Sequence, residues 1–187
     1  MEKVRAVFLD RDGTINEEVG YLSRLEDLRI FPFSYEAIGL INRAGMRTVV
    51  ITNQSGVARG FFDEKFLEIV HNRMNKLLGE NNAYIDRFYY CPHHPNEGEG
   101  TYTRQCDCRK PKTGMFQKAA AELNIDLATS YMVGDNPKDI EAAHNAGVKG
   151  ILVRTGYGKN IDVLEKAVYV ASDILDAVKW ILKDQKR

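Results

Sequence analysis

The chain has 187 residues, of which 44% are hydrophobic and 28% charged, as expected for one globular domain spanning residues 1–187. Its 26 basic side chains balance 26 acidic ones, which argues against nucleic acid or an anionic membrane as a partner. Because residues 1–3 lead directly into a strand pattern, and no apolar run approaches the roughly 20 residues that span a bilayer, we expect a cytoplasmic protein with no membrane partner.

The first predicted strand ends at two carboxylates, in the sequence Asp10-Arg11-Asp12-Gly13-Thr14. Ligands of an open parallel sheet bind outside the carboxyl ends of its strands, so both acids are expected to face a pocket. Two carboxylates that close repel each other unless a cation lies between them. A plain strand-ending turn or a calcium loop would use the same residue types. The later ligands and the closing glutamate of an EF-hand are missing, which disfavours the calcium loop.

A second polar motif follows the next predicted strand. Residues 16–33 show no sustained period and are predicted to form a loop over the pocket. We expect Ser34 to cap a helix over residues 35–44, followed by a strand over residues 47–51 that ends at Thr52-Asn53-Gln54-Ser55-Gly56. One loop and one helix already occupy the residues between Asp12 and this strand, so no cap domain fits there.

The following helix is predicted to begin after Asp63 and to end at Gly79, with a buried face of Phe66, Val70, Met74 and Leu77. His71 has no metal-binding partner at helical spacing, which indicates a surface or packing residue. A strand over residues 85–90 then leads directly into a cysteine-rich loop.

The cysteine-rich loop, residues 91–109, contains four potential zinc ligands in two close pairs. They are Cys91 with His93 and Cys106 with Cys108, a donor set that suits tetrahedral zinc. His94 is a rival to His93, and buried cysteines without a metal are the alternative. Three cysteines within one short loop fit metal binding in a reducing compartment better than disulfides. A zinc ion with four protein ligands has no open position, so its role would be structural.

Basic residues and a third acidic motif complete the pattern. Arg109 and Lys110 precede a helix predicted over residues 114–123 with Thr113 as its cap, where anions are favoured. The predicted strand at residues 131–133 ends at Gly134-Asp135-Asn136, and Asn136 followed by proline is also a helix start.

A strand at residues 150–153, the segment 167–171 and an amphipathic helix after Ser172 close the predicted core. Strands and helices alternate along the chain, and every polar motif directly follows a strand. This order predicts an α/β fold: a three-layer, doubly wound parallel sheet with one ligand-binding edge.

The motifs at Asp10, Thr52, Lys110 and Asp135 resemble, in the same order, those of the haloacid dehalogenase-like superfamily of phosphotransferases. With the cysteine-rich loop, the pattern is similar to zinc-containing D-glycero-D-manno-heptose 1,7-bisphosphate 7-phosphatases and to histidinol phosphatase domains. The likeness runs over about residues 4–155. It implies a Rossmann-like phosphatase domain with a short zinc loop and without a cap domain.

The resemblance also implies residue roles. Asp10 would attack phosphorus, Asp12 would act as acid and base, and Thr52 and Lys110 would hold the phosphoryl oxygens. Magnesium would be bound by the Asp10 carboxylate, the Asp12 carbonyl and the Asp135 carboxylate, and zinc by Cys91, His93, Cys106 and Cys108. The expected substrate-binding residues are Glu18, Val19, Gly20, Tyr21, Asn53, Gln54, Ser55, Arg109 and Asn136.

The expected substrate is a small phosphorylated sugar bound by a monomer. A bisphosphate would use Arg109 and Lys110 together, which favours the heptose bisphosphate over histidinol phosphate, the nearest alternative. A polynucleotide substrate is disfavoured by the zero net charge. A zinc-loop binding module with an inert acidic pocket is the alternative outside the enzyme class.

Overall fold

The computed structural model describes residues 3–98, 100–161 and 165–186. Its six strands form one parallel sheet in the order β3-β2-β1-β4-β5-β6, which confirms the predicted doubly wound topology. The strand order reverses between β1 and β4, where ligand sites of such sheets lie. The strands are β1 Ala6–Leu9, β2 Arg47–Asn53, β3 Arg87–Cys91, β4 Tyr131–Gly134, β5 Lys149–Val153 and β6 Ala167–Ala171.

The α-helices of the described residues cover both faces of the sheet. Side chains alternate along β1, so Val7 and Leu9 pack on one core and Ala6 and Phe8 on the other. The first core contains α1, α2 and α5, and the second contains α3 and α4. The helices are α1 Pro32–Arg43, α2 Glu64–Gly79, α3 Gly114–Leu123, α4 Pro137–Asn145 and α5 Ile174–Asp184. None of them combines the length and apolar composition needed to cross a bilayer.

The prediction that Ser34 caps the first helix was wrong. Helix α1 begins at Pro32, because the fixed φ of proline suits the first turn and its missing N–H costs nothing there. Ser34 lies inside the helix and donates its hydroxyl to Ile15 O at 2.8 Å. This bond ties α1 to the loop that follows the first two acids.

Helix α2 has the predicted cap, since Asp63 accepts a hydrogen bond from Phe66 N at 2.8 Å. Its buried face differs in part from the prediction: Leu67, Val70, His71, Met74 and Leu78 are buried, whereas Phe66 and Leu77 are only partly so. His71 was predicted to be a surface or a packing residue, and it is a packing residue. Its ring stacks on Phe88, with ring centroids 4.3 Å apart. Burial lowers the pKa of His71 to about 3, so the ring is neutral.

Helix α3 begins after Thr113 as predicted, but the Thr113 side chain makes no capping hydrogen bond. Gly114 N instead donates to Asp107 O at 2.9 Å, so the helix start is fastened to the cysteine-rich loop. Asn136 caps α4 as predicted, by accepting from Lys138 N at 3.1 Å. Strands β2, β3 and β4 end later than predicted, at Asn53, Cys91 and Gly134, so the polar motifs begin on the strands. Strand β3 also begins later, at Arg87 rather than at residue 85.

Candidate active site and zinc loop

A cavity of about 320 Å³ lies at the carboxyl edge of the sheet. Segments distant in sequence meet there: Asp10 and Asp12 follow β1, residues 52–56 end β2, and Asp135 follows β4. Lys110 reaches the cavity from the end of the cysteine-rich loop. The predicted convergence of motifs at one edge is therefore present.

Lys110 lies at the centre of the charged groups. Its ammonium nitrogen is 2.8 Å from Asp10 Oδ1, 2.7 Å from Asp139 Oδ1 and 2.8 Å from Ile51 O, and the residue is only 2% exposed. All three ammonium donors are thus used. Burial would lower the pKa of Lys110, but the carboxylates of Asp10 and Asp139 raise it, so the amine stays charged.

Asp10 lies directly beyond β1, where its amide donates to Val133 O at 2.9 Å. Burial and the neighbouring carboxylates of Asp139 and Asp12 raise its pKa to about 6, against the opposing charge of Lys110. Without a further cation, the surroundings of Asp10 therefore make its carboxylate harder to ionise than an exposed aspartate.

Asp12 has a different environment, because four donors surround its carboxylate. Arg11 Nε lies 3.0 Å from Oδ1 and Arg11 Nη2 2.7 Å from Oδ2. Asn16 Nδ2 is 2.9 Å from Oδ1, and Gln54 Nε2 is 2.8 Å from Oδ2. Although burial would raise its pKa, the Arg11 charge and these hydrogen bonds lower it, so Asp12 is ionised in the free protein.

Asp135 offers an oxygen suited to a metal ion. Its Oδ2 accepts from Tyr157 N at 2.7 Å, whereas the buried Oδ1 has no partner among the described residues. Burial and the charges of Asp10 and Asp139 raise its pKa to about 8. An oxygen of Asp10, one of Asp135 and one of Asp139 lie within 4.8 Å of one another. Such hard, crowded oxygen donors fit a divalent cation of the magnesium type.

The balance of charged side chains around the cavity also indicates a divalent cation. Four carboxylates, those of Asp10, Asp12, Asp135 and Asp139, have Arg11 and Lys110 as their ion-pair partners among the described residues. A divalent cation would neutralise the remaining negative charge. Both oxygens of Asp139 are engaged, by Lys110 and by Asn136 N, whereas Lys110 contacts one oxygen of Asp10 and Asp135 Oδ1 has no described partner. The residues that best fit magnesium are therefore Asp10 and Asp135.

Asp139 is a site residue that the sequence analysis missed. It is 1% exposed, accepts from Asn136 N at 3.0 Å and forms the ion pair with Lys110. A Cβ at Gly134 would lie 2.3 Å from its carboxylate, so the glycine leaves room for it. The available signal was an acid at the third helical position after Asn136, as in a capping box.

The loop after β5 was predicted from its glycines, but its contribution to the site was missed. Thr155 Oγ1 donates to Gly13 O at 2.5 Å, and Tyr157 N holds Asp135. Gly156 permits the close approach, because a Cβ there would lie 2.1 Å from Asp135 Oδ2. Two glycines directly after a predicted strand were the sequence signal.

Most of the predicted substrate-binding residues line the cavity: Glu18, Gly20, Tyr21, Asn53, Gln54, Ser55, Arg109 and Asn136. Val19 does not line the cavity and is 43% exposed, which corrects that expectation: its side chain faces solvent in the loop. Lys138 and Tyr157 line the cavity but were not predicted.

Several cavity-lining side chains already have protein partners. Gln54 donates its amide to both Asp12 and Thr52 Oγ1, the latter at 2.9 Å. Asn53 exchanges two hydrogen bonds with the backbone of Lys110, at 3.0 and 3.1 Å. Burial, then the charges of Asp12 and Asp10, raise the pKa of Glu18 to about 7.

The four predicted zinc ligands lie together at the start of the cysteine-rich loop and at its end. One donor atom from each of Cys91, His93, Cys106 and Cys108 lies within 4.8 Å of the others, and all three cysteines are free thiols. His93 Nδ1 is 3.3 Å from Cys108 Sγ. The hydrogen bond between the sulfur atoms of Cys91 and Cys108 lowers the pKa of Cys108 to about 5, which favours the thiolate that binds metal. The donor set fits zinc.

The rival ligand His94 lies outside this cluster, because its Nδ1 accepts from Glu97 N at 2.8 Å. The cluster also bears on the cavity: Arg109 directly follows Cys108, and its Nη1 donates to His93 O at 3.1 Å. A metal ion holding His93 and Cys108 would therefore fix Arg109 from both sides.

Replacing His93 with alanine should lower zinc affinity by more than about tenfold. Loss of a residue that only hydrogen-bonds to a metal ligand already costs roughly that much, and His93 would be a ligand itself. The unfolding temperature should fall as well, because the loop has few apolar contacts of its own to replace the metal. Metal analysis of the purified variant and a thermal melt measure both effects. His94→Ala is the matched control and should keep its zinc. Equal zinc content in the two variants would contradict the ligand assignment.

The fold and the acid-lined cavity define a phosphatase-like hydrolase of the haloacid dehalogenase class, and a family model described as HAD-hydrolase-like matches residues 107–177. Named relatives match almost the whole chain. The D-glycero-β-D-manno-heptose-1,7-bisphosphate 7-phosphatase of Haemophilus ducreyi is 45% identical over 95% of this chain and 98% of its own. That of Vibrio cholerae is 44% identical over 93% and 92%. The chain belongs to the D-glycero-β-D-manno-heptose-1,7-bisphosphate 7-phosphatase family.

Solved structures agree with this relationship. The D,D-heptose 1,7-bisphosphate phosphatase of B. bronchiseptica, crystallised with magnesium and phosphate, superposes with a TM-score of 0.85 at 32% identity, over 96% of this chain and 99% of that one. The corresponding enzyme of Burkholderia thailandensis gives a TM-score of 0.70 at 31% identity, over 95% and 98%.

Proposed function

We propose that this protein removes the 7-phosphate of D-glycero-β-D-manno-heptose 1,7-bisphosphate in a magnesium-dependent hydrolysis. The observation that carries the proposal is the convergence of Asp10, Asp12, Lys110 and Asp135 on one cavity. The whole-length relationship to enzymes named for this reaction supports the choice of substrate and anomer.

The reaction would proceed through an aspartyl-phosphate. An Asp10 carboxylate oxygen attacks phosphorus, the bond from phosphorus to the sugar oxygen breaks, and Asp12 supplies the proton that the leaving oxygen takes. Water then attacks phosphorus, gives its proton to Asp12, and the bond to Asp10 breaks. Asp12 is ionised in the free protein, which is the form that the second step requires. It would therefore take up a proton from solvent as substrate binds, and it gives that proton to the leaving oxygen in the first step.

Positioning and electrostatics would supply most of the rate enhancement. Lys110 lies beside Asp10, and its hydrogen bond to Asp10 would pass to a phosphoryl oxygen once magnesium binds that carboxylate. Thr52 lines the same cavity and would hold another phosphoryl oxygen. Magnesium, held by the Asp10 and Asp135 carboxylates and the Asp12 carbonyl, would keep the acids ionised and neutralise phosphoryl charge.

Arg109 would bind the phosphate that is not cleaved. Lys110 has no unused donor, whereas Arg109 lines the cavity with only its Nη1 engaged by a described partner, His93 O. Glu18, Gly20, Tyr21, Ser55 and Asn136 would contact the sugar. Lys138 lies at the same cavity and adds a second cation near this end of the substrate.

Replacing Arg109 with alanine should raise the Michaelis constant for the bisphosphate by roughly 10- to 100-fold, the value of one charge-assisted hydrogen bond. The constant for heptose 7-phosphate, which lacks the second phosphate, should change little. Steady-state kinetics on both substrates measure this difference, with the exposed Lys112→Ala as a control. Equal changes for the two substrates would contradict the role of Arg109.

A side-by-side assay tests the substrate. With magnesium, phosphate release from the β-anomer should exceed that from histidinol phosphate by about a hundredfold or more in kcat/KM, because histidinol phosphate carries no second phosphate. The α-anomer is the third arm. Equal or faster turnover of histidinol phosphate would overturn the substrate assignment while leaving the phosphatase mechanism intact.

We further propose a monomeric, single-domain enzyme in the cytoplasm. All the residues given a catalytic or metal-binding role belong to one chain and one sheet edge, which supports a monomer. Three free thiols in one metal-binding cluster suit a reducing compartment.

A further inference from the structure

Arg11, between the two acids of the first motif, is a buried residue to which the mechanism above assigns no role. Its side chain is 0% exposed, although the motif itself borders the open cavity. A buried guanidinium is costly unless it is paired, and the carboxylate of Asp12 is its ion-pair partner among the described residues. The protein therefore keeps a buried cation whose charge is directed at the proposed acid and base.

The contact between the two residues fixes the Asp12 carboxylate in orientation. Arg11 Nε and Nη2 contact different oxygens of Asp12, at 3.0 and 2.7 Å, which is the two-pronged geometry that an arginine fork favours. The backbone of Arg11 is fixed as well, because its carbonyl oxygen accepts from Ile15 N at 2.9 Å and from Asn16 N at 3.2 Å. Both ends of the arginine are thus anchored within the same turn.

The remaining donors to Asp12 are neutral amides with a different relation to the cavity. Asn16 is fully buried, whereas Gln54 lines the cavity where substrate would bind. With two donors on each oxygen, the carboxylate has no unused acceptor position for an exchanging proton. Gln54 is the donor that a substrate can displace, because the Arg11 contact is charged, two-pronged and out of reach.

We propose that Arg11 is the positioning residue for proton transfer: it anchors the Asp12 carboxylate while the Gln54 contact yields to the leaving oxygen or to water. The proposal rests on the proposed function of Asp12. Arg11 itself would not contact the substrate. Its effect should therefore depend on how strongly the leaving group needs a proton.

The test compares two leaving groups in Arg11→Met, which keeps the length of the side chain but removes its charge and its fork. A sugar phosphate needs a proton on the departing oxygen, whereas p-nitrophenolate leaves without one. Phosphoenzyme formation from the heptose bisphosphate should fall by roughly 10²- to 10⁴-fold, the usual contribution of general acid–base catalysis. The burst of p-nitrophenolate from p-nitrophenyl phosphate should stay within about tenfold of the parent, because that step needs no acid.

Arg47→Met is the matched control. Arg47 also forms an ion pair, with its Nη1 2.7 Å from Asp86 Oδ1, but it lies at the start of β2, at the end away from the cavity. It should leave both rates unchanged. Arg11→Lys, which keeps a charge but not the fork, provides the test if Arg11→Met does not fold, and it should show the same selective loss. Equal losses on both substrates in a folded variant, or no loss, would overturn the proposal.

The proposed function fails separately. If the parent protein forms no phosphoenzyme from either substrate, the mechanism and the Arg11 role are both wrong. If the parent reacts normally and the two leaving groups respond alike to Arg11→Met, only the role of Arg11 is wrong.

Discussion

Replacing Asp10 with asparagine should abolish phosphate release, with a fall in kcat of roughly 10⁴-fold or more. The carboxamide has nearly the same shape as the carboxylate, but its oxygen is not a competent nucleophile toward phosphorus. The fold should persist, because burial and neighbouring acids already disfavour the charge at this position and raise the pKa of Asp10 to about 6. Released phosphate in the presence of magnesium, together with a thermal melt, measures both parts.

The control for this change is Asp63→Asn. Asp63 caps α2, and asparagine is an equally good cap, so neither stability nor activity should change. Substantial turnover by a folded Asp10→Asn protein would mean that another group attacks phosphorus. Loss of the fold would mean that Asp10 is needed for structure, against the expectation from its environment.

Replacing Lys110 with methionine should affect activity and stability together. The ammonium is the buried partner of both Asp10 and Asp139, so its removal leaves two carboxylates without their cation. We expect the free energy of unfolding without magnesium to fall by about 3–5 kcal/mol, as when one partner of a buried ion pair is removed. Phosphate release should fall by roughly 10²- to 10³-fold, the cost of losing one preorganised charge at the reacting group.

Lys112→Met is the matched control two residues further along. Its ammonium is half exposed and lies 3.4 Å from an almost fully exposed Asp107 carboxylate, so little should change. Denaturant unfolding and steady-state kinetics on both variants separate the two effects. A Lys110→Met protein with parental stability would contradict the central position of this ion pair.

Much of the site could be predicted because its residues follow strands. In a parallel sheet the carboxyl ends of all strands share one edge, so Asp10, Thr52 and Asp135 had to lie near each other once the strands were assigned. The zinc ligands could be predicted for a similar reason. Two close pairs of soft donors on either side of a loop need only that the loop close on itself.

The residues that were missed depend on contacts between distant segments. Asp139 looks like an ordinary first-turn acid of α4, and only the position of Lys110 beside it gives it a role in the site. The loop with Thr155 and Tyr157 contributes through a hydroxyl and a backbone N–H, to Gly13 and to Asp135. Backbone donors of this kind leave little trace in residue type.

Two predictions about individual residues, Ser34 and Val19, were wrong for reasons that lie in their immediate surroundings. Ser34 is a favourable cap residue by type, but Pro32 began the helix earlier and Ile15 O took the serine hydroxyl. Val19 was grouped with its neighbours, although its side chain is 43% exposed and does not line the cavity. Propensity suggested the element in each case, and packing decided the individual residue.

The most direct test of the account is to identify the residue that carries the phosphoryl group. Protein mixed with heptose bisphosphate and magnesium is quenched in acid within one turnover and reduced with borohydride, which converts an aspartyl-phosphate to homoserine. Mass spectrometry of the digested protein should find homoserine at position 10. Homoserine at position 12 or 135, or unmodified aspartate throughout while phosphate is released, would contradict the account.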